Sequence, residues 1–527
     1  MRILRIRNAL SISLFLGITA NVAFGQRLED QRVEHSNFQN FDRFGHSVAM
    51  DGQIAVVGAP DLPDSNGARV GSAYVYRYSP FTESWVFEAE LIHPRPVNLD
   101  RYGESVAVSG DRIVIGAPDI VNAGGSRVGA AFVWRYDPIV RVWLFEQELN
   151  HNRQIGFDEF GCSVAIDGET IAVGAYNIPD QIGHRTGAVF VFDYKGSAWS
   201  QTQEVADPRS VNWAEFGTSV SLSNGRLAVG APNTTVQGTR VGAVFSFVFS
   251  TLSGSWVFEQ ELNHSGWVSW DRFGESVSLS DGRLAAGAPE AYDGIGRRVG
   301  GIYVFDYIDL TGTWSSATRL NHANLTDRGR FGESVSLDGD WILGGAPQAV
   351  NSAGTQVGEA YLFRYDEISQ SWAQVEVLNH SDQVNEDEFG YAVAFQADRA
   401  LIGAPNITNS GGTRIGAGYF YQCYTLTHLP RPILAGGTAT FFVDGGDPST
   451  PTYLAYSLQG LGETVIDPLS LTLDLENPTQ LGSTTVSDLQ GNSSWVVVVP
   501  PAALGLPVWF QAAQFKRKTN LSATIIQ

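Results

Sequence analysis

Six of the nine histidines in this sequence fall in one register: His35, His93, His151, His264, His322 and His380. Acids recur close after them, at Asp42, Asp100, Asp158, Glu159, Glu215, Asp271, Asp387 and Glu388. Imidazole and carboxylate together offer either metal ligation or proton transfer. Arginine makes a third series, Arg69, Arg127, Arg185, Arg240, Arg298 and Arg414, with Gln356 in the seventh place. Arg and carboxylate in register predict bidentate bridges between repeats; an Arg-lined anion site is the competing reading. The motifs GxSxG, HExxH and CxxC do not occur in the sequence, so no known catalytic signature fixes a reaction.

A reaction carried out once needs groups that one repeat has and the others lack. Those departures are Tyr176, His184, Trp267 and Trp341. Trp213 and Trp270 share a register with Phe41, Leu99 and Phe157 and are read as packing. Cys162 and Cys423 lie in repeats that are not neighbours. A disulfide would need their Cα atoms within about 7 Å, so both are read as small buried apolar residues.

The elements that must position these residues repeat. Phe-Gly or Tyr-Gly recurs at Phe44, Tyr102, Phe160, Phe216, Phe273, Phe331 and Phe389, at intervals of 56 to 58 residues. Gly-Ala-Pro follows in six copies, from Gly58, Gly116, Gly230, Gly287, Gly345 and Gly403; the third copy reads Gly174-Ala175-Tyr176. Each copy predicts four strands. The first follows Phe-Gly and ends at a two-residue turn such as Asp281-Gly282, suited to a tight hairpin. The second ends in Gly-Ala-Pro, the third alternates small and large residues, and the fourth starts at a Trp such as Trp85 or Trp256. Strand alternation with regular turns and no helical period means an all-β chain.

Four-stranded units at this period fit the blades of a propeller; a solenoid is the other repeat form. The ends of the repeat region decide. The seventh copy stops after its third strand, near Tyr421, while Val33 lies eleven residues before Phe44, as Leu91 does before Tyr102. Residues 27–35 therefore read as a fourth strand displaced to the N-terminus, able to complete the seventh blade and leave no open edge. In a propeller the histidines lie on the outermost strands. These stand about 14 Å from the innermost ones, and neighbours there are more than about 12 Å apart. Zinc needs nitrogens within about 4 Å of each other, so the histidines are read as loop anchors.

The stretches "DRYGESVAVSGDRIVIGAP" and "GAVFVF" carry a resemblance to the FG-GAP repeat of integrin alpha chains and of many secreted bacterial proteins. The resemblance spans roughly residues 27–424 and implies a seven-bladed propeller. It says little about function, because one fold carries unrelated activities. Integrin-type repeats often hold calcium in a DxDxDG loop. Here that hairpin is reduced to Asp-Gly or Asn-Gly. Two residues cannot supply the six to eight oxygens calcium takes, so calcium is not carried over, and no metal or cofactor is expected.

The chain divides into residues 1–25, 26–425, 426–437 and 438–527. The first has Arg2, Arg5 and Arg7, an apolar run and small residues at its end, which reads as a secretory signal peptide. The second is the propeller. The third, rich in Pro and Gly, reads as a linker. The last, with runs such as "TATFFVD" and "SSWVVVVP", reads as an Ig-like β-sandwich. Without its signal the chain carries 31 basic and 55 acidic residues, a net −24. That surface repels nucleic acid and anionic lipid. No later stretch is apolar enough to span a bilayer.

These readings lead to an exported monomer, secreted or held at the cell surface or in the periplasm. It is expected to bind an extracellular protein or glycan without catalysis. The alternative is a secreted glycoside hydrolase or lyase, marked by acids or histidines gathered at one end of the axis. Connections between strands two and three, and between four and the next strand one, leave from the same face. They are the long, variable ones, so the ligand is placed there, with Trp267, Tyr292, Arg297 and His184 as its contacts. A chelator is expected to leave the melting temperature of the mature protein unchanged. A fall of several degrees would mean that the Asp-Gly turns are misread.

Overall fold

The computed structural model describes residues 26–527, except 36–40, 80, 81, 83, 267, 323, 352, 367, 368, 410, 424, 430–433, 445–450, 459, 460, 467–470, 476, 477, 482, 488–492, 505, 515, 516, 519–521, 526 and 527. The chain is all-β; Pro501–Ala503 forms a single 3-10 turn. None of its described helices is long and apolar enough to cross a membrane.

Residues 31–422 form repeated four-strand antiparallel sheets, and seven of them are seen among the described residues. Sheet 2 is representative: Ser105–Ser109, Arg112–Ala117, Ala130–Asp137 and Val142–Leu149 follow one another from the axis outwards. The second strand is buried along almost its whole length, while the outermost alternates exposed and buried positions. Burial therefore peaks at the second and third strands, which are covered on both sides, while the innermost strand, Ser105–Ser109, is mostly half-buried. In sheet 7, Ala392–Gln396, Arg399–Ala404 and Ala417–Gln422 are joined by Gln31–Val33, antiparallel to Ala417–Gln422. Just before it, Gln26–Arg27 adds in parallel to Ser371–Leu378, the outer strand of sheet 6.

Neighbouring sheets are joined by three recurring devices. Ser47 Oγ donates to Gly103 O at 2.8 Å, and Ser105, Ser163, Ser219, Ser276 and Ser334 repeat the bond one sheet further on. At the opposite end of the inner strands, Asp51 accepts from the amide of Gly110, Asp167 from Asn224 and Asp338 from Ala397. On the outside, a glutamine clasps the neighbouring strand. Gln147 Nε2 donates to Trp199 O and its Oε1 accepts from Trp199 N, both at 2.8 Å. Gln203 does the same to Trp256, and Gln31 of the N-terminal strand does it to Trp85 of sheet 1. The clasp meets the hydrogen-bonding groups of an edge that would otherwise be open.

Beyond the repeats, Thr425–Leu429 pairs with Thr438–Asp444, which pairs with Ser493–Val498. Pro451–Ser457 pairs with Pro507–Gln514. Phe441 and Phe510, from these two sheets, meet with ring centroids 4.6 Å apart in a shared core with Leu454 and Trp495. Thr425–Leu429 places a strand at the start of the stretch read as the linker, 426–437.

The glycines of the motif are set by close approach. A Cβ on Gly287 would overlap the carbonyl oxygen of Gly332 in the next sheet and Ser276 Oγ in its own, whereas around Gly282 only Tyr307 Cβ comes within 4 Å, at 3.9 Å. Gly282 needs glycine only for its φ of +79°. G287A is expected to cost about 3 kcal/mol through overpacking, and G282A about 1 kcal/mol through backbone strain. Thermal unfolding of the two variants checks this order, and a G287A protein that melts with the parent would overturn the contact.

Candidate functional site

The connections expected to carry a ligand are built on one frame. Asp293 Oδ1 accepts from the amides of Ile295 and Arg297, at 3.0 and 2.9 Å. Asp64, Asn122, Asp180, Asn351 and Asn409 hold their own loops in the same way. Such Asx turns fix the backbone independently of the rest of the sequence.

Of the four nominated residues, Trp267 lies outside the described residues. His184 sits exposed at a loop tip, its Nδ1 3.9 Å from Asp180. Arg297 is folded back on its own loop, donating to Asp293 Oδ2 at 2.8 Å and to Leu325 O at 3.3 Å. Tyr292 takes a hydrogen bond from Arg298 Nε at 3.0 Å, and Arg298 in turn meets Glu290 at 3.1 Å. Tyr292 is therefore tied to Arg298, Arg297 to Asp293 and Leu325, and His184 stands apart at its loop tip.

The histidine series is paired with the aspartates. His Nε2 lies 2.9–3.5 Å from the carboxylate seven residues on in His35–Asp42, His93–Asp100, His151–Asp158, His264–Asp271 and His380–Asp387, all buried. The aspartates also hold the loop between them, as where Asp100 accepts from Val97 N at 2.6 Å and Asp271 from Val268 N at 2.7 Å. Each imidazole packs on the motif aromatic, as His93 does on Tyr102 at 4.9 Å. Two copies break the pair. His322 faces Gly329, and Asp207 faces Ala214 while taking over the loop amides of Arg209 and Val211. No cluster of His, Cys, Asp and Glu with metal-site geometry exists among the described residues.

The arginine series does not make the expected bridges between repeats. Arg127 meets Asp119 at 3.3 Å and Arg414 meets Glu386 at 3.3 Å, both within one repeat. Across the boundary the guanidinium lies over a ring: Arg240 on Trp270 at 4.7 Å, Arg185 on Trp213 and Arg127 on Phe157 at 5.9 Å, and Arg414 on Phe41 at 5.8 Å. These rings are not packing residues, which corrects the sequence reading. Trp213 and Trp270 are about half exposed, at 50% and 51%, and Phe41, Leu99 and Phe157 are similar. Each is turned outward by a left-handed backbone, with φ between 62° and 73°. Each amide bonds back to the preceding arginine's carbonyl, as Trp213 N does to Arg185 O at 2.6 Å. A bond to the backbone holds the strained residue whatever its side chain, which leaves the side chain free to vary.

Inside this crown, at the same end of the axis, lies a ring of ions. The residue before each motif aromatic is, in order, Arg43, Arg101, Glu159, Glu215, Arg272, Arg330 and Glu388. Where it is Arg, the residue three further on completes a pair. Arg43 Nη2 donates to His46 Nδ1 at 2.7 Å, Arg101 meets Glu104, Arg272 meets Glu275 at 2.7 Å, and Arg330 meets Glu333 at 2.8 Å. His46 Nε2 reaches across to Glu104 at 3.2 Å. Burial alone would raise Glu104, yet His46 and Arg101 hold it down at about 2. Where the position is Glu, the third residue on is Cys162, Thr218 or Tyr391 and supplies no charge. Burial then dominates: the Glu159 carboxyl is pushed up to about 7, with Asp119 and Glu104 adding to the shift, and Glu388 is raised as well. Burial, and then the nearby Glu159, Cys162 and Glu215, push up the phenol of Tyr176, the departure from Gly-Ala-Pro, so three peculiarities of the third copy meet at one place. Cys162, with its thiol pushed up to about 12 by burial, is no nucleophile.

Fold and site together define a β-propeller of repeated four-strand sheets with a charged ring at one end of its axis. The chain belongs to the FG-GAP repeat family, which it matches over residues 29–76, 85–134, 143–192, 256–305, 314–363 and 372–421, more than half its length. No curated protein matches the sequence. Among solved structures it is similar at 12% identity to a chain of the mitotic checkpoint complex, covering 80% of this chain and 98% of that one at a TM-score of 0.44. It is also similar at 12% identity to Sqt1 of Saccharomyces cerevisiae, covering 90% and 100% at 0.37. A third is the periplasmic gluconolactonase PpgL of Pseudomonas aeruginosa, at 12% identity, covering 64% and 85% at 0.40. Likenesses at such scores carry no argument about this chain.

The His–Asp pairs predict a specific pH behaviour. Burial lowers His93 from 6.5 to about 4 and raises Asp100 from 3.8 to about 6. The lowered imidazole loses stability as pH falls from 6.5 towards 4; the raised carboxyl gains it as pH falls from 6 towards 3.8. Over the shared window the two nearly cancel, since folding passes one proton from imidazole to carboxyl. D100N removes the compensation. The gap in unfolding free energy between D100N and parent, read from denaturant melts, is expected to widen between pH 7 and pH 4.5, by up to about 1.4 kcal/mol per pH unit. A gap of constant size would show that the pair does not exchange a proton.

Proposed function

We propose that the chain is an exported, non-catalytic binding protein: a seven-bladed propeller that holds an extracellular ligand on the face where the two-to-three and four-to-one connections emerge. One observation carries the reading, the coincidence on that face of an exposed apolar crown and an inner ring of ions. Ring closure is supported by Gln31–Val33 in sheet 7, by the Gln31 clasp on sheet 1 and by the parallel bridge between Phe44 and Gly416. A ring completed within one chain suits a monomer. Export rests on the pattern of residues 1–25 and the acidic surface. The Phe441–Phe510 contact supports reading the C-terminal sheets as a sandwich, serving as spacer or attachment module.

A second reading, an enzyme acting on polysaccharide, is favoured by Glu159. It is a half-buried carboxyl raised to about 7, near Glu215 and Tyr176, in the copy that departs most from the repeat. Such a group suits general acid catalysis at neutral pH. Most of the ring argues the other way, because its arginines are already spent on carboxylates or His46.

An array of extracellular proteins and glycans probed with mature protein tests both readings. For any ligand found, F157A/W213A is expected to weaken binding at least tenfold with the melting temperature held. L252A/L310A, on the turns between strands three and four of the opposite face, is expected to leave binding unchanged. The reverse pattern would overturn the face. If the ligand is cleaved and E159Q abolishes cleavage while retaining binding, the enzyme reading replaces the proposal.

A further inference from the structure

We infer that the crown is a row of equivalent subsites for a neutral polysaccharide of repeating pyranose units. The inference rests on the binding-face reading above and adds the chemical class of ligand. Phe41, Leu99, Phe157, Trp213 and Trp270 stand at one register on five successive sheets, each half exposed and each fixed by the same backbone bond. Nothing in the packing of the sheets demands an aromatic there, since the remaining two places are Arg328 and Glu386 in the same left-handed conformation. Ring side chains at an exposed, strained and otherwise tolerant position mark binding rather than folding.

The neighbouring groups narrow the ligand. An arginine covers part of the rings of Phe41, Phe157, Trp213 and Trp270, which leaves an exposed aromatic surface stiffened by the cation. Beside two of the crown residues stand exposed amides. Asn98 and Asn212 accept at Oδ1 from the backbone N–H of Arg69 and Arg185, at 2.9 Å each, and their Nδ2 groups have no partner among the described residues. Ser269 takes the same position before Trp270. A flat apolar platform with a hydrogen-bond donor at its edge fits a molecule with an apolar face and hydroxyls round its rim. A pyranose has both.

Repetition and charge select among hydroxylated ligands. Equivalent subsites placed round a ring suit a ligand that itself repeats, because each further unit engages at high effective concentration. A folded protein surface presents no such period. The net charge of −24 without residues 1–25 weighs against a polyanion, since the crown arginines lie on rings and most inner-ring arginines are paired with carboxylates. The ligand is therefore an uncharged glycan chain, lying across the crown rather than threading the axis.

The test uses mature protein with cellohexaose, xylohexaose and chitohexaose, the matching disaccharides, and polygalacturonate as the anionic control. Binding is read by tryptophan fluorescence and by calorimetry. At least one neutral hexasaccharide is expected to shift the emission and to bind tenfold or more tightly than its disaccharide. W213A and W270A are each expected to weaken that binding at least tenfold at unchanged melting temperature, and W213F to restore most of it. Three results would overturn the inference: no binding by any neutral hexasaccharide, equal binding of disaccharide and hexasaccharide, or tighter binding of polygalacturonate. A protein ligand lost on F157A/W213A, together with no glycan binding, would overturn this inference and leave the binding face standing.

Discussion

The interaction on which everything else depends is a contact between two glycines of adjacent sheets. The Gly of each Phe-Gly dipeptide donates its amide to the Gly-Ala-Pro glycine of its own sheet, as Gly103 does to Gly116 at 3.0 Å. Its carbonyl lies against the Gly-Ala-Pro glycine of the preceding sheet, where any Cβ would collide, and accepts a seryl hydroxyl from that same sheet. The contact recurs from Gly58–Gly103 round to Gly403–Gly45, the last joining sheet 7 to sheet 1. Neither glycine can change alone, which is why the two halves of the motif travel together. The buried Phe or Tyr between them fills the space that this approach creates beside the third strand.

That contact also decides where chemistry can stand. It brings the residues on either side of each aromatic–Gly pair to one end of the axis, so the variable positions of all the repeats face one another. Arg at the first and Glu at the second close into a pair; Glu at the first and Cys or Tyr at the second leave a carboxyl, Glu159 or Glu388, that burial raises. The ring's electrostatics are thus a consequence of which repeats drifted from the Arg-x-x-Glu pattern. The third and fourth did so side by side, with Glu159 and Glu215.

Strand order, turns and the displaced N-terminal strand were legible because each rests on a local rule: Asp-Gly for the hairpin, alternation for the strand, and spacing for the repeat. Histidines were legible as loop anchors but not as partners of the aspartates, because seven residues separate them and only the loop between shows that they meet. The arginine series misled for the opposite reason. A carboxylate was available to every guanidinium in sequence, yet the aspartates were taken by histidine and the ring of the next repeat was nearer. The exposed crown was hidden by its own regularity. Recurrence of Phe, Leu and Trp at one register reads as a core pattern, and only the positive φ at these positions reveals that the repeated feature is an outward turn. Glu159, Glu215 and Glu388 were visible as acids before the motif; that Arg replaces them elsewhere was equally visible but carried no meaning until the ring placed the positions together.

Departures from the repeat therefore need to be weighed by where the repeat puts them. His184 departs at a loop tip held by Asp180, where its neighbours are solvent and its own backbone. Trp341 departs at the start of a second strand, where Arg364 and Phe395 enclose it and it does structural work in place of the usual arginine. Tyr176 departs beside the axis, next to two other departures, where burial and then Glu159 push its phenol up. The same kind of sequence event is inert, structural or chemical according to its distance from the axis. In a molecule built from near-identical sheets, that distance is set by position within the repeat, so it can be read once for all copies after a single sheet is known.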